Sequence, residues 1–235
     1  MQRYFGNIAN QNVILNEDDI HHITHVMRMR VGDEFEFVND EKLYLCQIKS
    51  VQPFIASIQE QIDADVEIKN RVTLFFALAK GDKIDFVIQK ATELGVHRIV
   101  LFKCKRCVVD FSNEDFKKKV IRYQKIAKEA SEQCHRLIIP EILGVVDIDN
   151  IPNELKSDIN FIAYEKNAGK IGNVLESIKD KSVSVMIGPE GGFEEKEVNS
   201  LLNQGFTSIS LGKRILRCET AAVYALSVIA YLMEK

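Results

Sequence analysis

Three segments of this chain join an apolar run to residues able to hold a small polar ligand. In Ile187-Gly188-Pro189-Glu190-Gly191-Gly192-Phe193, three closely spaced glycines allow close approach to the backbone and leave amide N–H groups free to donate. Glu194, Glu195 and Glu197 follow at once; they suit a helix N-terminus and repel phosphate. With neither a P-loop lysine nor GxGxxG spacing, the segment is no nucleotide-phosphate cradle. Taken alone it also reads as a tight strand–helix turn. The second segment, Leu211-Gly212-Lys213-Arg214-Ile215-Leu216-Arg217-Cys218-Glu219-Thr220, is a cationic loop before an apolar stretch, with Glu219 and Thr220 where helix caps belong. The third is Ala163-Tyr164-Glu165-Lys166. A fourth pattern, Cys104-Lys105-Arg106-Cys107, can be half of a zinc site or a redox pair. Zinc needs a second ligand pair at suitable spacing, and Cys134-His135 supplies only a loose one. The cysteines therefore read as incidental, and no metal is expected.

Such loops make a site only if strand ends bring them together. Residues 72–79 (VTLFFALA) form a continuous apolar run of the kind found in strands covered on both faces. Gly81-Asp82 then opens a helix whose apolar positions Ile84, Val87, Ile88, Ala91 and Leu94 keep the 3.6 period, with Gly95 as its left-handed cap. A strand over 98–102 follows. Ser112 with Asp115 resembles a capping box opening a helix to about Gln133, with Phe116, Val120, Ile126, Ala127 and Ala130 inward. Strands at 160–164, 183–187 and 208–211 alternate with helices at 171–178, 194–202 and 219–233, so residues 71–235 are expected to form a parallel α/β sheet. Ligands bind such sheets at the carboxyl ends of strands, where all three loops lie. Residues 1–70 differ in texture: short alternating runs at 34–38, 43–50 and 54–59, broken by Gly32-Asp33, Asn39-Asp40 and Pro53, predict a small β-barrel. One helix capped by Asn16, with Ile20, Ile23 and Met27 at helical spacing, interrupts them.

The net charge of −3 argues against a generic nucleic-acid binder, but the charge is unevenly spread. Residues 1–70 and 137–200 each carry 6 basic and 12 acidic side chains, whereas residues 98–136 carry 11 basic and 5 acidic. That block fits either a phosphate-tracking surface or a solvated helix face. No apolar run resembles a signal peptide or approaches the ~20 residues that span a bilayer, so a cytoplasmic protein without a membrane partner is expected.

GPEGGF (188–193) followed by LGKRILRCETAA (211–222) resembles the SPOUT superfamily of S-adenosylmethionine-dependent RNA methyltransferases. LAKGDKIDFVIQKATELGV (78–96) and EASEQCHR (129–136) narrow the likeness to the RsmE-type 16S ribosomal RNA uracil-N3 methyltransferases, and HHITHVMRMRVGDEF (21–35) is similar to that family's barrel domain. The resemblance implies a PUA-like β-barrel followed by an α/β domain with a C-terminal trefoil knot, which dimerises into a homodimer. The knot follows from the resemblance alone, since knots are nearly absent among folds. It implies S-adenosylmethionine as cofactor, held by Tyr164, Glu165, Ile187, Gly188, Pro189, Glu190, Gly191, Gly192, Leu211, Gly212, Ile215, Leu216, Arg217 and Thr220. It implies as substrate a specific uridine in the 16S rRNA of the small ribosomal subunit. Uracil N3 must lose its proton, so Arg217 is expected to stabilise the resulting charge, with Glu219 the weaker candidate for base. Arg3, Arg28 and Arg30, with Lys117, Arg122 and Arg136 from the basic block, are expected to grip RNA phosphates. Ser131, Cys134, His135 and Cys218 depart from the family pattern.

Overall fold

The computed structural model describes residues 1–10, 12–109, 113–164, 166, 169–170, 178 and 180–234. Two compact units emerge: Met1–Glu67 with Ser131–Ile138, and Ile68–Ala130 with Ile139–Lys235. Residues 131–138, which no single break point near residue 70 would assign to the first unit, belong to it.

In the first unit, β1 (Arg3–Phe5), β2 (Asn7–Ala9), β3 (Asn12–Ile14), β4 (Glu34–Asn39), β5 (Lys42–Val51) and β6 (Phe54–Ile62) form one sheet, ordered β1-β4-β5-β6-β3-β2. Among the described residues only the β1–β4 pair is parallel. The β4–β5 hairpin turns at Asp40 and Glu41, both with positive φ (48° and 60°), the backbone a primed two-residue hairpin requires. Alternate residues Phe35, Phe37, Cys46 and Ile48 face a core shared with Tyr4 and Ile23. Helix α1 (Glu17–His21) is capped as expected, Asn16 Oδ1 accepting from Asp19 N–H at 2.8 Å, and it runs on into a π-helical turn, His22–Val26.

Two arginines expected on RNA are inside this unit. Arg3 is 3% exposed, pairs with Glu36 at 2.8 Å and donates to the His135 and Arg136 carbonyls. Arg136, 4% exposed, pairs with Glu67 at 2.7 Å, and Glu67 also accepts from the N–H groups of Leu137 and Ile138. Each guanidinium compensates a poorly hydrated carboxylate, and removing either would strand that charge. They hold the unit together, and as buried, paired side chains they do not offer the exposed charge a phosphate contact needs.

In the second unit, β7 (Val72–Ala77), β8 (Arg98–Lys103), β9 (Glu141–Asp147), β10 (Ile159–Ala163), β11 (Gly169–Lys170), β12 (Val183–Ile187) and β13 (Phe206–Ser210) form a sheet ordered β11-β13-β10-β12-β7-β8-β9, parallel throughout. Every residue of β7 and β12 is buried, as two-sided coverage demands. Leu74, Phe76, Val185 and Ile187 pack on one face with α2 (Lys83–Glu93), α3 (Asn113–Gln133) and the terminal helix α5 (Cys218–Met233). Phe75, Ala77, Phe102 and Met186 pack on the other with α4 (Glu195–Asn203).

The expected C-terminal cap of α2 is present: Gly95 has φ +81° and ends the helix. Helix α4 has a capping box between Glu194 and Glu197, which explains the acids crowding its start. The expected cap at Ser112, and residues 171–177 of the helix expected over 171–178, lie outside the described residues. Among the described residues no helix is long and apolar enough to cross a membrane.

Candidate active site

Because the large sheet is parallel, the carboxyl ends of its strands share one edge. The order β13-β10-β12-β7-β8 makes the three candidate loops and the starts of two others neighbours there. They enclose a cleft of about 520 Å³, a volume suited to a cofactor-sized ligand. Tyr164 borders it from the β10 loop, Ile187, Gly188, Pro189, Glu190, Gly191 and Gly192 from the β12 loop, and Ile215, Leu216 and Arg217 from the β13 loop. Leu211, Gly212 and Thr220 do not line it, and Glu165 lies outside the described residues.

The glycine loop is shaped by close packing. A Cβ on Gly188 would stand 2.7 Å from the Phe193 ring, and one on Gly191 would stand 3.0 Å from Arg106 Cβ. Gly192 closes a turn onto the Pro189 carbonyl at 2.9 Å with φ +68°, a left-handed backbone that glycine adopts without strain. Glycine at 188 and 191 thus lets the Phe193 ring and Arg106 pack directly against the loop.

A charged network, visible only in the fold, crosses the cleft wall. Lys83, at the start of α2, meets Glu190 Oε1 at 2.7 Å and Glu219 Oε2 at 3.6 Å, joining the glycine loop to the terminal helix. The Glu190 hydrogen bond heads the causes that hold the Lys83 ammonium above its usual range. Burial works to raise the Glu190 and Glu219 carboxyls, yet hydrogen bonds and the Lys83 charge leave both lowered, so both are ionised near neutrality. Cys218 donates to Glu219 Oε2 at 3.2 Å, and burial, with these carboxylates, pushes its thiol up to about 12. Cys218 is thus a neutral wall residue. Arg217 is the N-cap of α5 and exposed, and among the described residues its guanidinium makes no hydrogen bond or ion pair. The cap position itself is Arg217, so Glu219 and Thr220, read as caps, fall in the first turn of α5.

Lys83, Arg106 and Ala221 line the cleft without having been singled out as ligand contacts. The strand-end rule that located the three loops also covers the ends of β7 and β8, and applying it there finds Lys83 and Arg106. Among the described residues no group of three or more His, Cys, Asp or Glu side chains is placed to hold a metal ion.

A family model for an RNA methyltransferase domain matches residues 66–230, and one for an RNA methyltransferase PUA domain matches residues 15–58. The chain therefore belongs to the RNA methyltransferase family, with a β-rich PUA-like unit before a parallel-sheet catalytic unit. Within it, the chain is 36% identical to the ribosomal RNA small subunit methyltransferase E of Bacillus subtilis (strain 168), over 100% of this chain and 98% of that one. A methyltransferase structure from Legionella pneumophila in complex with the cofactor SAM superposes with a TM-score of 0.89 at 31% identity, covering 97% of this chain and 96% of the other. A ribosomal RNA small subunit methyltransferase E from Neisseria gonorrhoeae, bound to S-adenosyl methionine, gives 0.86 at 29% identity, covering 99% and 98%.

Proposed function

We propose that this chain methylates N3 of a specific uridine in the 16S rRNA of the small ribosomal subunit, with S-adenosylmethionine as cofactor, in the cytoplasm. The observation that carries the proposal is the convergence of the β10, β12 and β13 loops on one cleft. The residues fit the cofactor: Ile187, Leu216, Phe193 and Ala221 offer an apolar slot, the glycine loop 188–192 lines the cleft, and Glu190 and Arg217 supply both charges.

Bound there, the cofactor supplies an already activated methyl group. The chain's residues then have to align the uridine and manage its N3 proton. N3 lies on the pairing edge of the base, so the chain must accept a uridine that is unpaired or flipped out. Arg217, exposed at the cleft mouth, stabilises the negative charge that spreads onto O2 and O4 as the proton leaves. Glu219 is the remaining candidate to take that proton. An efficient base needs a pKa near the working pH, and its carboxyl is lowered, so Arg217 carries the greater share.

Arg28, Arg30, Lys117 and Arg122 are exposed and remain the RNA contacts of this reading; Arg3 and Arg136, being buried, leave it. The family resemblance adds a closed barrel in the first unit, a SPOUT trefoil knot around the cleft and a homodimer. The dimer is supported by Thr220, Tyr224 and Tyr231, exposed along one stripe of the terminal helix with half-buried Val228 between them.

Calorimetry on Gly191→Val tests the site. A valine side chain adds branched bulk beyond the Cβ that already meets Arg106 at 3.0 Å. The wild type should bind S-adenosylmethionine, and the variant should lose binding with an unchanged circular dichroism spectrum. Wild-type affinity in a folded variant would overturn the assignment.

A further inference from the structure

The Cys104-Lys105-Arg106-Cys107 turn follows β8 directly, and methyl transfer leaves its thiols unused. Their Sγ atoms stand 3.5 Å apart, and the Cys104 N–H points at Cys107 Sγ at 3.4 Å. Cys104 is buried and Cys107 half-buried. The pair is therefore preassembled, with one thiol open to small reagents.

The two residues between the thiols anchor the glycine loop. Lys105 N–H donates to Glu197 Oε1 at 2.7 Å, and the same carboxylate caps α4 by accepting from Glu194 N–H at 2.7 Å. Arg106 Nη1 donates to the Gly191 carbonyl at 3.1 Å, and its Nε lies 3.8 Å from Glu194. The turn that carries the thiols is also the clamp on the loop that borders the cleft.

We propose that Cys104 and Cys107 are a modification site, which a hydroperoxide converts to a disulfide that loosens the glycine loop and weakens cofactor binding. The effect on the cofactor rests on the function proposed above; the disulfide and the loop response do not. Cys107 is the attacking thiol. The Cys104 thiol and N–H directed at its sulfur hold it below the ordinary thiol range, against burial, while Cys104 is pushed up by that same hydrogen bond and by burial. The Glu197 carboxylate, held by the Lys105 N–H, works against this, so the hydrogen bonds within the pair are what favour the Cys107 thiolate.

In the first step the Cys107 thiolate attacks one peroxide oxygen and the O–O bond breaks. Cys107 becomes a sulfenic acid, and the departing oxygen leaves as water after taking up a proton. The Cys104 sulfur then attacks the sulfenic sulfur, the S–O bond breaks, and a second water leaves with the Cys104 proton. Two thiols are oxidised by two electrons, and hydrogen peroxide is reduced to two waters. Bond formation draws the sulfurs from 3.5 Å to about 2.05 Å. The clamp has little slack for that closure, because a hydrogen bond such as Arg106 to Gly191, at 3.1 Å, is lost by about 3.6 Å.

The test uses the full chain, reduced and then treated with hydrogen peroxide. Peptide mapping without reductant should find Cys104 and Cys107 joined, with the loss of two hydrogens. Hydrogen exchange over residues 188–193 should accelerate, and S-adenosylmethionine affinity should fall roughly tenfold, the scale of one lost hydrogen bond to a charged group. Dithiothreitol should restore both. Cys107→Ser should match the reduced wild type and ignore peroxide. The proposal is overturned if no Cys104–Cys107 disulfide forms, if it forms without changing loop exchange, or if Cys107→Ser responds like the wild type. If the reduced protein does not bind the cofactor at all, the function reading fails, while mapping and exchange still decide the thiol pair.

Discussion

Arg217 carries the proposed chemistry, and its surroundings set the test. It caps the terminal helix one residue before the buried Cys218 and two before Glu219, whose carboxylate Lys83 engages. A guanidinium that acts mainly on charge developing in the reaction should matter little to cofactor binding. Arg217→Ala should lower kcat by ~10²–10³, the scale for one preorganised donor, with cofactor affinity nearly unchanged. Lysine should rescue only in part, since a point charge does not reproduce a planar fork. Single-turnover methylation and calorimetry on one preparation decide it: equal losses in both would make Arg217 a loop scaffold. At this scale the sequence was informative where residue type and backbone coincide, as at Gly188 and Gly191. It was misleading where charge alone was the signal. Arg3 and Arg136 look identical in sequence to surface cations, and only the long-range partners Glu36 and Glu67 reveal them as buried. Lys83 was silent for the same reason, its carboxylates lying far along the chain.

Among the elements, α3 carries the basic block. Lys117, Lys118, Lys119, Arg122 and Lys125 are exposed, while Phe116, Ala127 and Ala130 are buried. If the block tracks phosphate, neutralising three of these lysines should weaken RNA binding and flatten the slope of log affinity against log salt by about 0.7–0.9 per lost contact. Cofactor affinity should not change. An unaltered slope would leave the block a solvated helix face. The elements with a strong period were legible: β12 matches its expected span, and α2 its apolar face and glycine cap. The elements that were missed lack that signal. Strands β1, β2 and β3 have three residues each, too few to show alternation, and β1 is fixed by parallel pairing with a distant strand. Strand β9 lies at the sheet edge, mostly half-buried, with Gly144 beneath the Phe116 ring, so it presents no continuous apolar run.

For the whole molecule, the terminal helix states the expectation. Ala222, Ala225, Leu226 and Ile229 face the core, while Tyr224 and Tyr231 are 41% and 64% exposed. Aromatic side chains on an exposed stripe suit an isologous contact with a second copy of the chain. Sedimentation at micromolar concentration should give the mass of a dimer, and Tyr224→Glu with Tyr231→Glu should give a monomer; a monomeric wild type would contradict the homodimer. The proposed knot marks the limit of sequence reasoning for the whole molecule, because hydropathy and spacing record which segments are strands and helices but not which loop a chain would thread. The central claim, methylation at uridine N3, is tested most directly by chemistry on the product. Small ribosomal subunits lacking the modification, incubated with the purified chain and S-adenosylmethionine, are digested and their 16S rRNA nucleosides resolved by mass spectrometry. The expected result is 3-methyluridine at one site, formed only when cofactor and enzyme are both present. Methylation on another atom or another nucleoside, or none with a chain that binds the cofactor, would contradict it.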